Sequence, residues 1–288
     1  MGEEYIPDHW EGDTEKDLMK VKSLGYQTDL IFAAFDGEII DRGSYLVVRT
    51  PSNPTFYWGN FLLFERPPAE GDYTRWCALF SKEIGAPPKV NHITFGWDTI
   101  RDEQGIAGPF LENGFRLDRS TVMTSRKPNP PARPAADLII RPLTSDDDWA
   151  QSVENQVATR EPEFSEGEYR IFRQRAMDRY RKMAARGMGD WFGGFVGTRL
   201  VTDLGIFHSG NVGRYQHVQT HPDFRRRGMA GTLVYEASSV TMDRYGLEML
   251  VIVAETDSSA GRLYQSLGFE ATEYQAHLEK WKGTGKGG

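Results

Sequence analysis

The chain has 288 residues, 41 acidic against 34 basic side chains, one cysteine and 39% hydrophobic residues. That length suits two domains of ordinary size. A net charge of −7 argues against nucleic acid as a partner, the single cysteine excludes an internal disulfide and argues against a cysteine-built metal site, and no apolar run is long enough to span a bilayer. The start, Met1-Gly2-Glu3-Glu4-Tyr5-Ile6, is acidic and lacks the apolar core of a signal peptide. A cytoplasmic protein is the default expectation.

Taken in order, Lys16 to Leu24 has a short helical pattern, and Leu30 to Phe35 reads as a strand turning at Asp36-Gly37 into Glu38-Ile39-Ile40. Ser44–Val48 and Thr55–Phe64 read as further strands around a Pro51-Ser52-Asn53-Pro54 loop. Tyr73–Ile84 is helical, with Asp72 as a plausible N-cap. Val90–Phe95 is a strand, Ile106–Asn113 a short helix ended by Gly114, and Phe115–Thr124 a strand pair. Ser125–Ala136 carries Pro128, Pro130, Pro131 and Pro134 and reads as a stiff linker. The domains are therefore expected at 1–127 and 137–288, joined by 128–136.

In the second unit Leu138–Leu143 is a strand, and Thr144 or Ser145 caps a helix with three aspartates in its first turn. Ser165–Ala185 is a helix with Tyr169, Phe172, Ala176, Tyr180 and Met183 on one face. Its arginines (Arg170, Arg173, Arg175, Arg179, Arg181) read as a solvated face, the alternative being attraction of an acidic acceptor. Trp191–Phe207 is a hairpin at Gly197-Thr198, and Gly213–Thr220 is a strand. A helix follows with Ala230, Leu233, Val234, Ala237 and Val240 at apolar spacing, then the buried strand Met249–Ala254.

Strand and helix meet at Val218-Gln219-Thr220-His221-Pro222-Asp223-Phe224-Arg225-Arg226-Arg227-Gly228-Met229-Ala230-Gly231. A helix N-terminus offers free N–H groups and the positive end of a dipole, where phosphates settle. Gly228 and Gly231 remove Cβ atoms from those amides, and Arg225, Arg226 and Arg227 add charge beside them. The stretch reads as a pyrophosphate cradle.

The two halves also resemble each other. Phe110-Leu111-Glu112-Asn113-Gly114-Phe115 aligns with Tyr264-Gln265-Ser266-Leu267-Gly268-Phe269, at an offset of 154 (268 minus 114). Carried through the cradle, that offset sets Gly228 on Thr74, Ala230 on Trp76 and Gly231 on Cys77, with Gly71, Asp72 and Tyr73 in place of the three arginines. The first copy is not expected to bind pyrophosphate in this way.

Arg225-x-x-Gly228-x-Ala230 after a strand resembles the acyl-coenzyme-A signature of the GNAT N-acetyltransferase superfamily. Asp257-Ser258-Ser259-Ala260-Gly261-Arg262-Leu263-Tyr264-Gln265-Ser266-Leu267-Gly268-Phe269 is similar to that family's N-x-x-A-x-x-L-Y-x-x-x-G-F block, with Asp257 in the Asn place. The resemblance implies an α/β fold of two tandem acetyltransferase-like domains, each a mostly antiparallel twisted sheet flanked by helices, the first copy degenerate. It implies transfer of an acetyl group from acetyl-CoA to a primary amine of a small molecule, by direct attack in a ternary complex. Val218, Gln219 and Thr220 would pair with the pantetheine arm, the cradle residues and Asp257 would hold the coenzyme, and Tyr264 matches the family's general acid. The family's strand glutamate is replaced by Ile252, which leaves Glu255, His217 or a water chain as candidate bases. H-E-x-x-H, C-x-x-C, P-loop and G-x-S-x-G motifs are absent, and no metal is expected. Two other readings compete: a non-catalytic acyl-CoA sensor or scaffold, and a protein N-acetyltransferase. No membrane partner is expected, and monomer and homodimer both stay open.

Overall fold

The computed structural model describes residues 19–87 and 90–281. The first half runs α1 (Leu24–Asp36), β1 (Glu38–Asp41), β2 (Tyr45–Arg49), a 3-10 turn (Tyr57–Gly59), β3 (Phe61–Phe64), α2 (Asp72–Glu83), β4 (His92–Trp97), α3 (Gly108–Glu112) and β5 (Arg116–Ser125). The second runs β6 (Ile139–Pro142), α4 (Asp146–Ala158), α5 (Glu166–Ala185), β7 (Gly189–Val196), β8 (Arg199–Ser209), β9 (Val212–Thr220), α6 (Met229–Tyr245), β10 (Met249–Glu255), α7 (Ser259–Ser266) and β11 (Glu270–Trp281).

The eleven strands among the described residues form one mixed, mostly antiparallel sheet in the order β1-β2-β3-β4-β11-β5-β10-β9-β8-β7-β6. β3–β4 and β9–β10 are its parallel pairs, one in each half. The order shows an exchange: β11, the last strand of the second half, lies between β4 and β5 of the first. In return β5 pairs with β10, from Leu250 opposite Ser125 to Glu255 opposite Ser120. Leu278 and Ala276 of β11 accordingly sit in the first half's core with Phe95, Trp76 and Phe110. The 1–127 and 137–288 segments thus trade their final strands and share one sheet.

Several elements differ from the sequence reading. Leu30–Phe35 is helix, not strand, and Asp36-Gly37 ends α1 instead of turning a hairpin. The reason is tertiary capping. Asp98 accepts from the Lys22 and Ser23 amides at 2.7 and 2.9 Å, and Glu273 of β11 accepts from Leu24 and Gly25 at 3.2 and 3.3 Å. Two carboxylates thus complement the N-terminal amides and dipole of α1. Of the short helix expected at 16–24, residues 16–18 lie outside the described residues and 19–23 are not helical. Thr55–Asn60 forms turns, so the third strand begins only at Phe61, and 116–125 is one strand, not two. Val240 is exposed on α6; the buried stripe passes instead through Leu233, Val234, Ala237, Ser238 and Thr241.

The proline-rich segment is laid along the second half. The Asn129 amide donates to Leu267 O (2.8 Å) and the Ala135 amide to Thr232 Oγ1 (2.9 Å). α1 likewise crosses over: Phe32 packs edge-on to Tyr180 and Phe207, each at 5.8 Å, inside the second half's core.

Candidate active site

β9 and β10 pair only from Val212, Gly213 and Arg214 to Met249, Leu250 and Val251, then separate, while β9 continues against β8 as far as Thr220. Between the Asp203–Gln219 and Gly205–Gln216 pairs, Leu204 alone faces His217 and Val218, which is a β-bulge, and His217 takes a left-handed φ of 45°. Past Arg214, β9 therefore turns an edge without a ladder partner into the gap, where an extended ligand can add as a strand would. The predicted arm-binding residues Val218, Gln219 and Thr220 all lie on this edge.

At the outer end of β9 the chain reaches the cradle. Arg225, Arg226 and Arg227 are exposed, Arg226 and Gly228 have positive φ, and Met229 starts α6. None of the successive amides from Arg226 to Gly231 has a hydrogen-bond partner among the described residues; the Thr232 amide is the first that does, at Gly228 O. Free amides beside exposed guanidiniums fit a pyrophosphate. Gly228 has a second reason to be glycine: a Cβ there would collide with the carbonyl oxygen of Arg133, from the proline-rich segment. At Gly231 a Cβ would meet only ordinary contacts, Leu263 at 3.4 Å and Pro131 at 3.6 Å.

The first copy keeps the turn but not the cradle. Gly71 (φ 80°) precedes α2 as Gly228 (φ 77°) precedes α6, so Gly71, and not Thr74, is the structural counterpart of Gly228. The offset here is 157 (228 minus 71), three residues longer than at the Gly-Phe motif. The arginines correspond to Pro68, Ala69 and Glu70. Asp72 at the helix start accepts from the Ala69 amide (2.9 Å) and pairs with Arg75 (2.7 Å), so the position for an anion is held by the chain's own carboxylate. β3 and β4 remain paired to Phe64 and Trp97, the last residues of both strands, so no gap opens.

Between the halves, where β9 and β10 part, lies a cavity of about 390 Å³. The second half lines it with Arg214–Val218, Ile252, Val253 and Tyr264; Asp29 and Phe32 of α1 and the aromatics Phe56, Trp58 and Phe61 close it from the first. Asn60, beside those rings, is fastened inward, accepting from the Thr50 amide (3.0 Å) and donating to Phe56 O (2.8 Å).

Tyr264 reaches the cavity from α7, 5% exposed, with no hydrogen bond to its hydroxyl among the described residues. Burial raises its pKa above the ordinary phenol range, so the proton is retained at any physiological pH. His217 has a different character. Arg173 donates through Nη1 to His217 Nε2 (2.6 Å) and through Nη2 to Gln156 Oε1, and Gln156 donates to Asp203 Oδ2 (2.9 Å). A guanidinium only donates, so Nε2 is the acceptor and the neutral ring carries its proton on Nδ1. Burial and the adjacent cation hold the His217 pKa well below its usual value. This ring offers a donor at Nδ1 and has no free lone pair for an amine's proton.

Glu255 is exposed at the end of β10 and does not line the cavity. Asp257 takes a left-handed φ of 62°, a conformation that Asn and Asp share, and its carbonyl accepts from Arg262 (2.7 Å) just before the N-cap Ser258. The carboxylate that does face the cavity is Asp29, accepting from Arg214 Nη2 (2.6 Å); burial raises its pKa and Arg214 opposes that. No motif marks Asp29 or Arg214, which are 185 residues apart. Behind the cavity His277, Asp118 and Glu279 place ligand atoms within 4.8 Å of one another. Arg116 occupies that group, at 2.6 Å from Asp118 and 2.7 Å from Glu279, which makes it an ion network.

Residues 198–278 match the family model described as FR47-like protein. Among solved structures, the chain is similar to a functionally unknown conserved protein from Staphylococcus epidermidis (TM-score 0.67, 16% identity, 86% of this chain and 95% of that one). It is also similar to a GCN5-related N-acetyltransferase from Kribbella flavida (TM-score 0.59, 13% identity, 90% and 96% covered). A third similar structure is a tandem GNAT protein from the clavulanic acid biosynthesis pathway (TM-score 0.52, 11% identity, 88% and 87% covered). No curated protein matches the chain.

A parallel strand pair joined through a glycine-led helix occurs in each half, and in the second half alone it splays beside a bulged edge; this is the fold of the tandem GNAT structure. The chain shares its fold with these GNAT structures, and residues 198–278 of its second half match the FR47-like family model.

Proposed function

We propose that the second half binds acetyl-CoA along β9, pyrophosphate on the Arg226–Gly231 amides, and transfers the acetyl group to a primary amine of a small molecule seated in the inter-half cavity. The amine nitrogen attacks the thioester carbonyl; a C–N bond forms and the C–S bond breaks. Asp29 draws the ammonium in and takes one proton from it before attack; Tyr264 gives its proton to the departing thiolate, and the proton that the nitrogen sheds on becoming an amide restores the phenol. The observation that carries this reading is asymmetry: among the described residues, unpartnered strand edge, free amides and arginines occur together in the second half only, next to Tyr264, whose hydroxyl faces the cavity without a hydrogen-bond partner among those residues.

Calorimetry with coenzyme A should give one site per chain. Arg225→Glu combined with Arg227→Glu should weaken binding by on the order of tenfold or more, since each hydrogen bond to a charged group contributes about 1.5–3 kcal/mol. This pair is a cleaner probe than a Gly228 substitution, which would also displace the segment at Arg133. Two sites, or unchanged affinity in the double variant, would reject the assignment. Thiol release from acetyl-CoA across a panel of amines tests the transfer itself.

A further inference from the structure

α5 carries more arginine into the interior than its sequence suggests. Arg170, Arg175 and Arg181 are on the outside or partly so, whereas Arg173 is 1% and Arg179 4% exposed. The solvated-face expectation therefore fails at Arg173 and Arg179. Arg173 is committed to His217 and Gln156. Arg214, the other guanidinium on the cavity, is held by Gly25 O (3.2 Å), Thr28 Oγ1 (2.9 Å) and Asp29 (2.6 Å).

Arg179 is different. It lines the cavity, yet neither Nε nor Nη2 makes a hydrogen bond; Asp36 Oδ1 lies 2.9 Å from Nε without hydrogen-bond geometry. A buried guanidinium with idle N–H groups is costly, and an acceptor-bearing anion in the cavity would satisfy it. Three guanidiniums stand at this end, Arg179 and Arg214 on the wall and Arg173 behind His217, against two carboxylates, Asp36 beside Arg179 and Asp29 beside Arg214. The rest of the wall is aromatic, with Phe32, Phe56, Trp58 and Phe61.

Resting on the transfer reading above, we infer that the acceptor is an amino acid with an apolar side chain, its carboxylate held by Arg179 and its amine by Asp29. Asp29 and Arg179 line the same cavity of about 390 Å³, so one small ligand that carries both charges can meet them both. A planar fork receives a carboxylate through paired N–H groups, which an amide or an alkyl group does not match.

The test uses the full chain and a set of aliphatic and aromatic L-amino acids, each beside its amide and its decarboxylated amine. Binding is measured by calorimetry in the presence of coenzyme A, and turnover by thiol release. The free acids should bind at least tenfold more tightly than their decarboxylated partners. Arg179→Gln should erase that preference while leaving the decarboxylated amines nearly unchanged, and Arg179→Lys should restore part of it. A change in fold alone would weaken both ligands together. Wild-type protein that binds acid and amine equally, or an Arg179→Gln protein that keeps the preference, overturns the inference. Carboxylate-dependent binding without thiol release would uphold the inference and sink the transfer reading; thiol release with decarboxylated amines alone would do the reverse.

Discussion

Tyr264→Phe should lower kcat by on the order of a hundredfold or more and leave the affinity for acetyl-CoA nearly unchanged. The ring packs edge-on to Phe269 at 6.3 Å and belongs to the core beneath α6 and α7, so its shape is needed; phenylalanine keeps that shape. What disappears is a hydroxyl that serves no structural hydrogen bond among the described residues. Its loss is felt only when negative charge develops on sulfur, which is a transition-state effect and belongs in kcat. The direction of the pKa shift adds a second signature. Burial raises the phenol's pKa, so the acid form persists as pH rises, and the wild type should show no alkaline fall in kcat from this group below about pH 10. A Tyr264→Phe enzyme with near-normal turnover under single-turnover conditions would remove the residue from the chemistry.

What could be read from the sequence was what lies contiguously in it. The Arg225–Gly231 cradle and the Tyr264 block are each a few residues long, and both hold their expected elements, a strand-to-helix turn and a short capped helix. The cavity is another matter. Asp29, Arg179 and Arg214 come from three separate elements, and each looks like an ordinary surface charge until α1 is laid across the second half. Leu30–Phe35 was misleading for the same reason: its local pattern suits a strand, and the caps that make it a helix lie 75 and about 250 residues away. The repeat was legible through Gly114 and Gly268, but a three-residue difference before α2 hid the true partner of Gly228. The first copy keeps the glycine, as Gly71, and differs in charge: Asp72 stands at the start of α2 where the second half carries arginines and free amides.

The second large effect concerns the way the halves are joined. Residues 137–288 expressed alone should fail to give a cooperatively melting, coenzyme-binding unit. In that fragment β10 loses β5 along its whole length, exposing a long apolar strand edge beside the cleft. β11 loses both neighbours, β4 and β5, and Leu278 and Ala276 lose the core they occupy. α1 goes too, and with it Ile31 and Phe32 from the cluster around Tyr180 and Trp191. Burying a single large apolar side chain contributes about 1.5–3 kcal/mol, while whole domains are stable by only about 5–15 kcal/mol. Several such losses together with two opened strand edges exceed that margin. Residues 1–136 alone should fail likewise, because β4 and β5 have no ladder between them without β11. Co-expression of 1–136 with 137–288 supplies every strand with its partner and should return a soluble complex that binds coenzyme A once. The cut would fall in the proline-rich segment, whose contacts at Asn129 and Ala135 remain available to hold the pieces together. The outcome that overturns this is a 137–288 fragment that melts cooperatively and binds coenzyme A with the affinity of the full chain. Such a fragment would have to close its own sheet with β11 against β10, so the exchanged strands would then be a choice between two pairings and not a requirement of the fold.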